Sequence, residues 1–140
     1  MNTKETGILG EKIASDYLKK KGYQILDKNY SLRIPGSPLK GEIDIIAKPQ
    51  KKIFDDPWGK KENTIHFIEV KTLRDPDSLI EPEEKINLEK QKKLVKVAES
   101  WLMQKKFPLD SKWQIDVISI KINEKEKRAR IRHLKNVISF

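Results

Sequence analysis

Cysteine is absent from this chain, which excludes disulfides, thiolate metal ligands and a cysteine nucleophile. Histidine is nearly as scarce. With only His66 and His133, a zinc site or a Cys/His catalytic pair would lack ligands or partners, so both imidazoles are expected to be structural or surface groups. The 6 glycines form neither a Gly-x-x-x-x-Gly-Lys loop nor a dinucleotide fingerprint, and nucleotide-driven chemistry is not expected. No apolar run approaches the roughly 20 residues of a membrane span, and Met1 to Thr6 carry no hydrophobic signal core. The expectation is a cytoplasmic protein with no membrane partner.

Positive charge is what the chain has in excess. Its 30 basic residues against 21 acidic ones give a net charge of +9, which draws a protein to polyanions, nucleic acid among them. A length of 140 residues suits one domain with one core, spanning 1–140.

Apolar periodicity outlines the elements. Leu9, Ile13 and Tyr17, with Ala14 and Leu18 beside them, predict an amphipathic helix over 7–21 that stops at Gly22. Near the expected start of that helix, Glu11 has a plain explanation in the favourable field of the helix dipole. Tyr23 to Arg33 reads as a strand. Two further strand-like arms surround Gly41-Glu42-Ile43-Asp44 and His66-Phe67-Ile68-Glu69-Val70-Lys71, separated by a long polar loop over 48–63 in which the reversal is expected near Pro57 and Trp58. Strict alternation would send Glu42 and Asp44 to one face of the sheet and Ile43 and Ile45 to the other. A long helix is predicted over about 82–107, with Ile86, Leu94, Val97, Ala98, Trp101 and Leu102 as its buried stripe and Lys90 beside it. Trp113 to Ile122 is a strand in which Asp116 is expected to be a hydrogen-bonded structural acid, and 128–140 can supply a last strand. The order is that of an α/β fold with a mixed sheet.

If the two central arms pair antiparallel, Asp44 lies level with Glu69 and Lys71, so that two carboxylates and a lysine meet. Mg²⁺, or Mn²⁺ in its place, needs little more, since hard cations take oxygen ligands and are content with one or two carboxylates. The carbonyl of Val70 could add a third oxygen, and Glu11 a further carboxylate. A divalent ion so held can activate water against a phosphodiester while Lys71 stabilises charge on the phosphate oxygens. Glu-x-Lys alone also fits a surface pair on a half-buried strand; its pairing with the upstream acid in a basic chain is the stronger signal.

Gly10-Glu11, Gly41-Glu42-Ile43-Asp44, Phe67-Ile68-Glu69-Val70-Lys71 followed by Arg74, Lys90-Gln91 and Ile115-Asp116-Val117 together resemble the bacterial YraN-like family. That family is grouped with the restriction-endonuclease-like PD-(D/E)xK superfamily and is similar to archaeal Holliday junction resolvases. The resemblance implies a restriction-endonuclease-like core (αβββαβ), a mixed sheet flanked by helices, and a metal-dependent nuclease acting on DNA, branched or structured DNA included. It places Asp44, Glu69 and Lys71 in the superfamily's core positions, Glu11 as the helical acid and Lys90 with Gln91 on a helix facing the sheet. Lys90, Gln91, Arg74 and Lys40 are the candidate nucleic-acid contacts. The chain departs from the family in its long 48–63 loop and in Gln114, which stands where an arginine is usual. A homodimer is the simplest way to cut two strands. The competing expectation is a nucleic-acid-binding module that keeps the fold without the chemistry.

Overall fold

Asn2 sets the first element. Its side chain accepts the Glu5 N–H at 2.8 Å while the Glu5 carboxylate accepts the Asn2 N–H at 3.3 Å, a capping box that satisfies helix donors which would otherwise lack partners. Helix α1 (Thr3–Lys20) therefore begins four residues before its apolar stripe suggests, and ends on Gly22 with φ at 92°. The computed structural model describes residues 2–33, 40–50, 63–74, 86–108 and 110–138. Strands β1 (Tyr23–Arg33), β2 (Lys40–Pro49) and β3 (Ile65–Leu73) follow, then helix α2 (Leu88–Gln104) and strands β4 (Trp113–Asn123) and β5 (Arg128–Leu134).

The five strands form one mixed sheet in the order β1-β2-β3-β4-β5, with β3 and β4 parallel and the other neighbours antiparallel. The parallel step requires a crossover, and α2 lies in that connection. The arrangement is consistent with a restriction-endonuclease-like core. Phe67 and Ile68, adjacent on β3, enter different hydrophobic clusters, because consecutive strand residues face opposite ways. On one face Leu94, Val97, Ala98 and Trp101 of α2 cover Ile43, Ile46, Phe67 and Ile115. On the other, Ala14 and Leu18 of α1 cover Ile45, Ala47, Ile68, Ile118 and Ile120. Among the described residues no helix is long and apolar enough to cross a membrane.

Three further boundaries differ from the sequence reading. Lys48 and Pro49 belong to β2, where they pair with Gln24 and Tyr23, so the connection begins later than position 48. Residues 51–62 of that loop, Pro57 and Trp58 among them, lie outside the described residues. Helix α2 starts at Leu88, because the Asn87 side chain accepts the Lys90 N–H at 2.8 Å and caps it; of the expected helix, residues 82–85 lie outside the described residues. Ile86 packs against the core without being helical. It ends at Gln104, short of Phe107, where Lys106 turns at φ 60°.

Side-chain alternation also fails at the key strand. Ile43 packs under α2 and Ile45 under α1, so the two do not share a face. The reason lies opposite: Asn29 on β1, between the pairs Lys28↔Ile45 and Tyr30↔Ile43, has φ at 51°, and this left-handed residue breaks the regular pleat. The β2–β3 ladder runs only from Ala47↔His66 to Ile45↔Ile68, and Asp44 stands just beyond its end.

Helix α1 crosses the sheet closely at Gly10, where a Cβ would lie 1.9 Å from Thr72 Oγ1 and 2.9 Å from Thr72 Cβ. Gly10→Ala must push the helix off β3. The expected loss is about 2 kcal/mol of unfolding free energy, read from the shift of the urea midpoint at unchanged slope; an unchanged midpoint would refute the close packing.

Candidate active site

Where the central ladder stops, Asp44 takes over its hydrogen bonding. Asp44 Oδ2 accepts the Val70 N–H at 2.7 Å, a backbone donor that would otherwise look for a partner across β2. Asp44 lines two clefts at this end of the β2–β3 ladder. One cleft, of about 540 Å³, brings it together with Glu11, Val70, Thr72 and Arg74. The other, of about 470 Å³, brings it together with Glu42, Glu69 and the first turn of α2, Lys90 included.

Glu69 is the best-buried acid of this group, at 9% exposure. Its two oxygens are treated differently. Oε1 meets Lys90 Nζ at 2.5 Å and Lys71 Nζ at 3.4 Å, whereas the buried Oε2 has no hydrogen-bond partner. A buried carboxylate oxygen without a donor is costly unless a cation takes it. With Asp44 and Glu11 nearby, the donors are all oxygens, the set a hard divalent cation selects. Glu69 and Asp44, which share one cleft, give the pair of carboxylates that Mg²⁺ or Mn²⁺ would need, whereas Glu11 meets Asp44 only in the other cleft and the three do not form one compact ligand cluster.

The electrostatics show the same excess of negative charge. Burial, then the neighbouring carboxylates of Glu69, Glu11 and Glu42, push Asp44 up to about 7 against the opposing pull of the Val70 N–H. Burial and the Glu42 carboxylate likewise raise Glu11, which shares hydrogen bonds with Asn29 and Asp44. Glu11 lies well inside α1, because the helix starts at Thr3. The dipole explanation, which needs a first-turn acid, therefore fails. Burial and the adjacent Lys90 amine lower Lys71. Burial opposes the charge on Lys90 too, but hydrogen bonds to Glu69 and Lys71 outweigh it and hold that ammonium above its usual range. Of the two amines, Lys90 keeps its proton and Lys71 is readier to release one.

The family model described as uncharacterised protein family UPF0102 matches residues 10–120. A UPF0102 protein of Alkaliphilus oremlandii is 37% identical over 133 residues, covering 95% of this chain and 97% of its own. One from Caldanaerobacter subterraneus subsp. tengcongensis is 36% identical over 137 residues, covering 97% and 96%. The chain belongs to UPF0102. A Dictyoglomus thermophilum member is 39% identical over 127 residues, 91% of either chain. The matched UPF0102 stretch contains Glu11, Asp44, Glu69, Lys71 and Lys90, and leaves β5 outside.

The remaining candidates are more dispersed. Gln91 Nε2 donates to the Ile86 carbonyl at 3.1 Å and so secures the approach to α2. Arg74 lines the Glu11 cleft while its guanidinium holds Glu124 by two contacts of 3.0 and 3.1 Å. Lys40 opens β2, and its side chain lies outside the described residues. Gln114, noted above as a departure from the family pattern, donates to Asp116 Oδ1 at 2.8 Å, a neutral contact.

Sequence reasoning passed over Asn29 and Asn87. Nothing in a strand-like run marks Asn29, except that asparagine tolerates the left-handed region better than most residues. Asn87 had a signal, being a capping residue directly before Leu88 with Glu89 and Lys90 following. The His66, Asp116 and His133 cluster was missed as a unit because its members come from three strands.

Proposed function

We propose that this chain is a divalent-metal-dependent endonuclease that hydrolyses DNA phosphodiester bonds, with branched or otherwise structured DNA as its substrate class. The observation that supports this most is the unpartnered, buried Glu69 Oε2 in a cleft shared with Asp44, while Glu69 Oε1 is held by Lys90 and Lys71. Asp44 and Glu69 would hold Mg²⁺ or Mn²⁺, with Glu11 and the Val70 carbonyl as further candidate oxygen donors, and the cation would supply Lewis-acid charge for hydrolysis of the phosphodiester. Lys71 sits close enough to share Glu69 and stabilises charge developing on the phosphate oxygens. Lys90 fixes Glu69 Oε1 and so leaves Oε2 for the ion. Gln91, Arg74 and Lys40 are the candidate backbone contacts, and a homodimer would supply the second cut of a symmetric substrate.

The test is incubation of purified protein with nicked, flapped and four-way-junction DNA in Mg²⁺ or Mn²⁺, alongside calorimetric titration of the metal. Wild type is expected to cut at least one substrate and to bind Mn²⁺ at a site that Glu69→Ala removes. Lys71→Ala is expected to lower turnover by about a hundredfold with little change in DNA affinity. No cleavage of any substrate, or cleavage undiminished in Glu69→Ala, would overturn the proposal. One observation favours a second reading, a nucleic-acid-binding module without chemistry: Glu69 is already ion-paired with two lysines, so its charge is compensated without a metal. Salt-sensitive DNA binding with no calorimetric metal site would establish that reading instead.

A further inference from the structure

Five arginines stand in this chain against 25 lysines, and three of the five, Arg128, Arg130 and Arg132, occupy alternate positions of β5. All three are exposed. The other side of that strand is spent on anchoring. Ile131 packs with Ile118, Ile120 and Ile122 in the cluster under α1, and His133 Nε2 meets Asp116 Oδ2 at 2.8 Å. Asp116 is fully buried; its Oδ2 also meets His66 Nδ1 at 2.6 Å, and its Oδ1 accepts Gln114 Nε2 at 2.8 Å and the Asn136 N–H at 2.9 Å. Strand β5 is thereby tied to β3 and β4, and the arginines project from a rigid support on the face away from α1.

Register carries that row to the candidate site. Pairing is continuous across β3, β4 and β5, with Lys71 level with Ser119, Ser119 with Arg132, and Lys121 with Arg130. Val70 packs in the cluster under α1, so Glu69 and Lys71 point the other way, to the face where Lys90 of α2 meets Glu69. Lys71, Lys121, Arg132, Arg130 and Arg128 therefore share one face, and two strand spacings put the backbone of Arg132 roughly 10 Å from that of Lys71. Residues 121–135 hold seven basic and two acidic side chains, so 15 of the 140 residues carry five of the nine net positive charges. Charge at a sheet edge has a plainer use, which is to keep a second strand from pairing there. Lysine serves that use and is abundant in this chain; alternate arginines add the planar fork that grips phosphate oxygens in pairs. Lys121, Arg130 and Arg132 already have interactions within the chain, but polar contacts of exposed side chains contribute little, and phosphates can take the arginines over. The UPF0102 match ends at residue 120, so the arginine row lies outside the matched stretch.

We propose that Arg128, Arg130 and Arg132 form a track for the sugar-phosphate backbone of DNA, holding the arm of the substrate that leads away from the phosphate at Lys71. The track rests on the endonuclease reading for the choice of DNA and not for its ability to bind. The test follows a labelled four-way junction and a labelled duplex by fluorescence anisotropy with the full chain, without divalent metal, over a series of salt concentrations. Arg128→Gln/Arg130→Gln/Arg132→Gln, which keeps the edge polar, is expected to weaken binding about tenfold or more at low salt. Its plot of log affinity against log salt should be shallower by about 2 to 3, each lost phosphate contact removing about 0.9. Lysine at the same three positions is expected to keep the wild-type slope and to weaken binding less than glutamine does. Lys4→Ala/Lys12→Ala/Lys19→Ala removes the same charge from exposed positions of α1, on the other face, and should leave the slope nearly unchanged. No salt-dependent binding by wild type, an unchanged slope in the glutamine variant, or an equal loss in the α1 variant would overturn the assignment. So would a glutamine variant that self-associates on gel filtration yet binds DNA as wild type does, the result of edge protection alone. In cleavage assays the glutamine variant is expected to raise KM with kcat little changed. Cleavage that ignores the arginines defeats the track alone; binding through the arginines without any cleavage defeats the endonuclease reading alone.

Discussion

Asp44→Asn is expected to stabilise the metal-free protein at mildly alkaline pH and to abolish DNA cleavage. Asp44 titrates at about 7 in the folded chain, well above the ordinary carboxylate value near 4. Stability linked to a raised acid is complete below the unfolded value and is lost as pH rises through the folded one. Above neutrality the folded chain must therefore hold an ionised Asp44 against Glu69, Glu11 and Glu42, which an asparagine does not. The asparagine carbonyl can still accept the Val70 N–H that Asp44 takes at 2.7 Å, so the end of the β2–β3 ladder survives. The expected gain is about 1 kcal/mol in urea unfolding of the metal-free protein, shrinking as pH is lowered towards 5. Cleavage, under the proposed function, falls by about a thousandfold or more, because a ligand of the cation is gone. Added Mn²⁺ should raise the thermal midpoint of wild type and leave that of the variant unmoved. A variant less stable than wild type at every pH would show that Asp44 is kept for structure.

Asp116→Asn is expected to do the reverse, costing about 3 kcal/mol of stability. One amide oxygen replaces a carboxylate that serves four donors, and the new NH₂ group faces donors where acceptors are needed. The pH dependence identifies the cause. The folded carboxyl is held below its usual range, so its contribution is present above about pH 4 and is lost as pH falls further. The acid limb of the wild-type stability profile should therefore flatten in Asp116→Asn, while the difference between the proteins stays constant at neutral pH and above. A loss below 1 kcal/mol, or an unchanged acid limb, would contradict the assigned role. The expectation that Asp116 is a hydrogen-bonded structural acid agrees with its observed partners. What pattern could not supply was the identity of those partners, which come from β3, β5 and the segment after it.

The two variants bracket the use of buried acids in this fold. Asp116 is surrounded by donors and stabilises its surroundings; Asp44 accepts the Val70 N–H and is raised by its acidic neighbours, and Glu69 Oε2 has no donor. Gln114 takes part in that division, since its amide directed at Asp116 adds a donor without adding charge.

Local pattern determined the sequence of elements. Apolar spacing of 3.6 or 2 residues is a property of neighbouring positions, so the order helix, three strands, helix and two strands could be read from it, as could the limits of β1 and the helix stop at Gly22. The antiparallel pairing of the Asp44 and Glu69 arms was also legible, because the acids interrupt two apolar runs that a hairpin brings level. The resemblance carried by those residues was to the YraN-like family, and it agrees with the UPF0102 (YraN-like) family to which the chain belongs. Only tertiary structure decided the rest. Capping moved both helix starts, which took Glu11 out of the favourable dipole field and put Lys90 in the first turn of α2. Asn29, a left-handed residue on the adjacent strand, broke the alternation that would have placed Ile43 and Ile45 together, and left Asp44 at the end of the ladder. Which oxygen of Glu69 holds lysines, and which is buried without a donor, depends on side chains brought together from β3 and α2. Periodicity records which face a residue prefers; it holds no record of what the other elements place opposite it.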